Sequence, residues 1–114
     1  MENRRQSIRK RPSYYMEVVD ERTGYSAGTL INLSIDGLML STSEPIESEA
    51  YFQFGLTIPD AIAGEHVVSV DARSVWCRHN LHTNEYDIGF LMINLDEQTE
   101  NIISHAMSDY LFRD

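Results

Sequence analysis

The chain has 114 residues, 42% of them hydrophobic and 24% charged, which is enough for one domain with a single core and too little for two. No apolar run approaches the ~20 residues of a membrane-spanning helix, no apolar stretch near the start reads as a secretion signal, and the one cysteine excludes an internal disulfide, so the expectation is a reduced, cytoplasmic protein. Arg4, Arg5, Arg9, Lys10 and Arg11 are five of the nine basic residues, so residues 1–11 carry +4 and the rest of the chain −13; an acidic body of this kind repels nucleic-acid polymers and suits a small, compact anion held by the basic arm, or an arm paired with its own domain.

Residues 1–13 are polar and basic and end at Pro12-Ser13, the pattern of an extended, flexible arm. The domain proper is expected over residues 14–114. Tyr14–Asp20 is rich in strand-forming residues, and Glu21-Arg22-Thr23-Gly24 reads as a turn. Tyr25 to Asn32 predicts a second strand and Leu38 to Thr42 a third, joined by Ser34-Ile35-Asp36-Gly37, whose Asp-Gly pair signals a tight turn. Between Ala50 and Ile58, Phe52, Phe54, Leu56 and Ile58 make an apolar face at period two. Val67–Cys77 is a long strand in which Val68, Val70, Ala72 and Trp76 share a face; Ser74 interrupts that face and suggests a bulge. Tyr86–Leu95 closes the series with Ile88, Phe90 and Met92 on one side. The period then changes. Ile102, Ile103, Ala106, Met107, Tyr110 and Leu111 form a helical stripe over residues 96–112, with Asp96 as N-cap and Glu97 and Glu100 at the positive end. Six short strands and one C-terminal helix predict a mainly β fold, a small closed antiparallel barrel.

Catalytic chemistry finds little support. His79 and His82 stand three apart without a cysteine or carboxylate at ligand spacing other than Glu85, so no metal site is expected. Cys77 reads as a core or half-buried strand residue, and neither a zinc-protease motif nor a nucleophile elbow occurs. The expectation is a protein that is not an enzyme. Single-stranded nucleic acid would need aromatics interleaved with basic residues on the strands, and the strands carrying Tyr14, Tyr15, Tyr51 and Trp76 have few.

Two patterns remain. Arg5-Gln6-Ser7-Ile8-Arg9 is an RxxxR, preceded by Arg4; arginine forks grip phosphate oxygens or the O6/N7 edge of guanine and stack on purines. Asn32-Leu33-Ser34-Ile35-Asp36-Gly37 is an NxSxxG at the end of a strand. Continued at period two, it sends Asn32 and Ser34 to one side, and Gly37 permits positive φ and a close backbone approach to a ligand.

RxxxR followed about two dozen residues later by [D/N]xSxxG, with a late Ile88-Gly89-Phe90 strand and a terminal helix, resembles the PilZ domain family over essentially the whole chain. The resemblance implies a six-stranded antiparallel split barrel with a C-terminal helix. It implies a bacterial, cytoplasmic receptor for the second messenger cyclic di-GMP, with no cofactor, no membrane and an unidentified protein partner that carries the output to motility, biofilm or exopolysaccharide control. Arg5 and Arg9 then form the clamp, and Asn32, Ser34 and Gly37 the floor. Asn32 stands where the family more often has Asp, which removes charge assistance from its contact with guanine. Arg4 adds a group that stacks on a guanine or pairs with a phosphate, which favours two interlocked ligand molecules per chain. The alternative within the same fold is an interaction adaptor that works without ligand.

Overall fold

The computed structural model describes residues 9–12, 15–60, 64–108 and 112–113. Among them the elements run β1 (Arg11–Pro12), β2 (Glu17–Asp20), β3 (Ser26–Leu33), β4 (Gly37–Thr42), β5 (Tyr51–Asp60), β6 (Gly64–Asn80), β7 (Glu85–Ile93), α1 (Glu97–Met107) and β8 (Phe112–Arg113). Strands β2-β3-β4-β7-β6-β5 form a closed barrel, each pair antiparallel. The short β2 closes the ring by pairing with β3 on one side and, through Val19 opposite Gly55, with β5 on the other. Closure removes the open edges that would otherwise invite pairing with other chains.

Alternation supplies the core. On β5 the side chains of Phe54, Leu56 and Ile58 are buried and Phe52 packs against them. Ala72, Val70 and Val68 lie directly opposite Phe52, Phe54 and Leu56 on the neighbouring β6, and Ile88 and Phe90 join the same cluster from β7. The Phe54 and Phe90 rings cross edge to face with centroids 5.0 Å apart, and Phe52 stacks on Phe54 at 5.4 Å. Contacts of this geometry contribute roughly 0.5–1.5 kcal/mol beyond the area they bury.

Three register shifts bend the strands, at Ala27 and Ile31 on β3 and at Val75 on β6. An extra residue tightens the local twist and reverses which side chains face inward. At Val75 the reversal overturns an expectation. Ser74 is the buried residue, its hydroxyl donating to Glu47 O at 2.5 Å and accepting from Ala50 N at 2.9 Å. Trp76, expected on the core face with Val68, Val70 and Ala72, lies outside and is 39% exposed.

The helix is shorter than its apolar stripe. Asp96 caps it, accepting from Thr99 N at 2.7 Å, and Ile103 and Ala106 are buried in the barrel core. The helix stops at Met107, where the N–H of Ser108 turns back to the carbonyls of Ser104 and His105. Phe112 and Arg113, the former expected within the helix, are extended and pair with Pro12 and Arg11. The stripe positions Tyr110 and Leu111 lie outside the described residues.

Candidate functional site

The site is built around the β3–β4 hairpin. Its turn closes with Ser34 N–H donating to Gly37 O at 2.9 Å. The Ser34 hydroxyl accepts from Asp36 N at 3.3 Å and Gly37 N at 3.2 Å. The hydroxyl is therefore engaged inside the turn, and Ser34 is only 1% exposed. Period two does not carry through to Ser34, because β3 ends at Leu33. Asn32 stays on the outer surface and Ser34 folds under it, so the two do not share a face.

Gly37 serves a purpose other than the one expected from its type. It is not among the residues with positive φ. Instead it lies against β7, where a Cβ at position 37 would run into the carbonyl oxygen of Phe90. The glycine is required by the close approach of its own neighbouring strand. The Asp36 carbonyl, accepting from Met92 N at 2.9 Å, staples the turn to β7 from the other side.

Asn32 owes its position to the bulge at Ile31. Leu30 pairs with Leu40 and Asn32 with Met39, so the extra residue turns Asn32 away from the core that holds Leu30 and Leu33. Onto this surface Arg9 and Lys10 are laid. Lys10 forms an antiparallel bridge with Leu33, its N–H donating at 2.8 Å and its carbonyl accepting at 2.7 Å. That bridge fixes the register of Arg9, whose Nη1 donates to Asn32 Oδ1 at 3.0 Å. The last arginine of RxxxR and the first residue of NxSxxG, 23 positions apart, are thus in direct contact. Arg4 and Arg5 lie outside the described residues.

The registers also bring in a residue that sequence reasoning placed elsewhere. Asn32 is opposite Met39, Met39 opposite Gly89, and Gly89 opposite Trp76. These four form one row across the outer surface, and two bulges on different strands put its two ends there. The Trp76 indole lies on the Gly89 backbone, in the space any side chain at 89 would need. The Arg78 guanidinium stands 5.4 Å from the Trp76 ring and 3.6 Å from the Asp87 carboxylate. The row thus runs from a guanidinium and an amide, through a thioether, to an indole: hydrogen-bonding groups at one end and an apolar platform at the other. Ser74, polar within an apolar alternation, was the signal that could have moved Trp76 to this face. His79, one of the two histidines considered for metal, shares a hydrogen bond with Asn84 Oδ1 at 3.0 Å.

A model of the PilZ domain family matches residues 3–109. The chain belongs to the PilZ domain family. Solved structures agree in fold. The chain is similar to the Bacillus subtilis inhibitor of motility MotI/DgrA, with TM-score 0.77 and 10% identity over 94% of this chain and 51% of that one. It is also similar to the PilZ domain of Escherichia coli YcgR with c-di-GMP, with TM-score 0.67 and 17% identity over 90% and 87% of the two chains. The Escherichia coli YcgR structure in complex with c-di-GMP gives TM-score 0.70 and 17% identity over 93% of this PilZ chain and 45% of that chain. This PilZ domain therefore spans about half the length of MotI/DgrA and of the longer YcgR chain. None of the curated proteins matches it.

Proposed function

We propose that this PilZ domain is a receptor for cyclic di-GMP that signals through a protein partner. The observation that carries the reading is the hydrogen bond between Arg9 and Asn32, which joins the two motifs at one place on the barrel. The ligand's chemistry fits what is assembled there. Two phosphates and two guanines suit arginine forks, a base edge suits the Asn32 amide, and the face of a purine suits the Met39–Trp76 row. Arg5 and Arg9 grip the ligand, Asn32 reads a base edge, and Ser34 and Gly37 hold the hairpin in shape. Because the arm is basic and the body acidic in sequence, the anion bridges two parts of the same molecule.

No catalytic step is involved, and the output passes to a partner protein in the bacterial cytoplasm. Control of motility is the favoured output, by analogy with the fold shared with a motility inhibitor. Arg4 sets the stoichiometry at two interlocked ligands, because four phosphates in one site call for an additional cation.

Titration calorimetry with cyclic di-GMP tests the reading. Saturable binding is expected, with a ligand-to-protein ratio near two that Arg4→Leu moves toward one. Arg5→Ala and Arg9→Ala each weaken binding by about 1–3 kcal/mol, the scale of one bidentate arginine–guanine contact, while circular dichroism stays unchanged. Unaltered affinity in the double variant refutes the assignment. Absence of binding favours the ligand-independent adaptor.

A further inference from the structure

Position 32 bears on which purine the site accepts. A carboxylate there offers only acceptors, and it matches the adjacent N1–H and N2–H donors of guanine. Facing adenine, the same carboxylate meets the N1 lone pair and is repelled. An amide offers one acceptor beside one donor. That pair complements guanine, with Oδ1 accepting from N1–H and Nδ2 donating to O6. It complements adenine equally, with Oδ1 accepting from N6–H and Nδ2 donating to N1.

The contacts around Asn32 keep both halves of the amide available. Arg9 Nη1 donates to Oδ1 at 3.0 Å, which orients the amide and leaves the oxygen a second lone pair. Among the described residues Nδ2 meets Met39 Sδ, at 4.0 Å, and a thioether is a weak acceptor that a base nitrogen or carbonyl displaces. Ser34, the other fixed polar residue of the NxSxxG pattern, cannot restore discrimination. The Ser34 hydroxyl is buried and engaged within the turn.

We infer that the base position facing Asn32 does not discriminate guanine from adenine, so that the site accepts a cyclic dinucleotide in which one guanine is replaced by adenine. The inference rests on the cyclic di-GMP reading and concerns one of the two bases. The arginine forks on O6 and N7 still demand guanine at the other.

Calorimetry with two probes decides it: cyclic di-GMP, and cyclic GMP–AMP with the same phosphodiester linkages. The unmodified chain is expected to bind the mixed dinucleotide within about tenfold of cyclic di-GMP. Asn32→Asp is expected to widen that ratio by a further tenfold or more, about the discrimination that one bidentate base contact provides. A preference of the unmodified chain for cyclic di-GMP well beyond tenfold overturns the inference and leaves the receptor reading intact. So does a ratio that Asn32→Asp, shown folded by circular dichroism, leaves unchanged. If neither dinucleotide binds, both readings fall. The ratio for the unmodified chain decides the inference even if the variant does not fold.

Discussion

Ser34 holds two backbone N–H groups of the β3–β4 turn with one hydroxyl. Ser34→Ala leaves both donors short of that partner in a buried place, and a loss of about 1–3 kcal/mol of stability is expected. Thermal melting and calorimetry run side by side will show whether the hydroxyl acts on the turn or on the ligand. A lowered melting temperature with a proportionate loss of affinity fits the turn; lost affinity at an unchanged melting temperature would mean that the ligand takes the hydroxyl directly. Gly37→Ala is expected to destabilise by about 1–3 kcal/mol, the usual cost of overpacking, because the added Cβ meets the Phe90 carbonyl. The motif residues themselves were legible in the sequence, but what each does was only partly so. Asn32 stands at the surface because the bulge at Ile31 interrupts the alternation that began at the buried Leu30, and Ser34 does not join it there, since the strand has already ended. Nothing local to Gly37 reveals that a strand more than fifty residues later presses on it.

At the scale of elements, the alternating runs were plain. Phe52 to Ile58 and Ile88 to Met92 face the core as their spacing requires. Bulges are harder to see, because an extra residue has no composition of its own. Ser74 betrayed one by being polar in an apolar run; Ile31 sits among other apolar residues and gave no sign, although its bulge is what turns Asn32 outward. The helix start was readable from Asp96 and the end was not, because the apolar stripe continues past the point where Ser108 turns the chain. Asp96 also sets an acid limit on that helix. Its hydrogen bond from the Thr99 backbone holds the carboxyl below the usual carboxylate range. A folded value below the unfolded one contributes stability at neutral pH that is lost as pH falls through the folded value. Asp96→Asn keeps an acceptor without the charge, so its melting temperature is expected to fall less steeply on acidification than that of the unmodified chain. Asp96→Ala is expected to lower the melting temperature at neutral pH as well.

For the whole molecule, charge is the governing quantity. A body at −13 repels itself, and added salt screens that repulsion. The free protein is therefore expected to melt at higher temperature as monovalent salt increases. Salt acts in the opposite direction on the complex, since it also screens the arginine–phosphate attraction, and the dissociation constant for cyclic di-GMP is expected to rise across the same titration. Ligand binding itself adds about 2.7 kcal/mol at a free concentration of one hundred times the dissociation constant. For a domain of this size that is a rise in melting temperature on the order of 10 °C, readable by scanning fluorimetry.

The placement of Trp76 makes the molecule its own indicator. It is the chain's single tryptophan, it is partly open to solvent, and it ends the row that begins at Asn32. All indole emission therefore originates beside the proposed binding surface, with no background from a buried second tryptophan. A purine that takes the place of the Arg78 guanidinium over the indole ring would quench that emission, so binding could be followed optically without a dye or a tag. Tyr51 and Tyr15, exposed elsewhere on the barrel, can be left unexcited by choosing the red edge of the absorption band, and Trp76→Phe supplies the dark control.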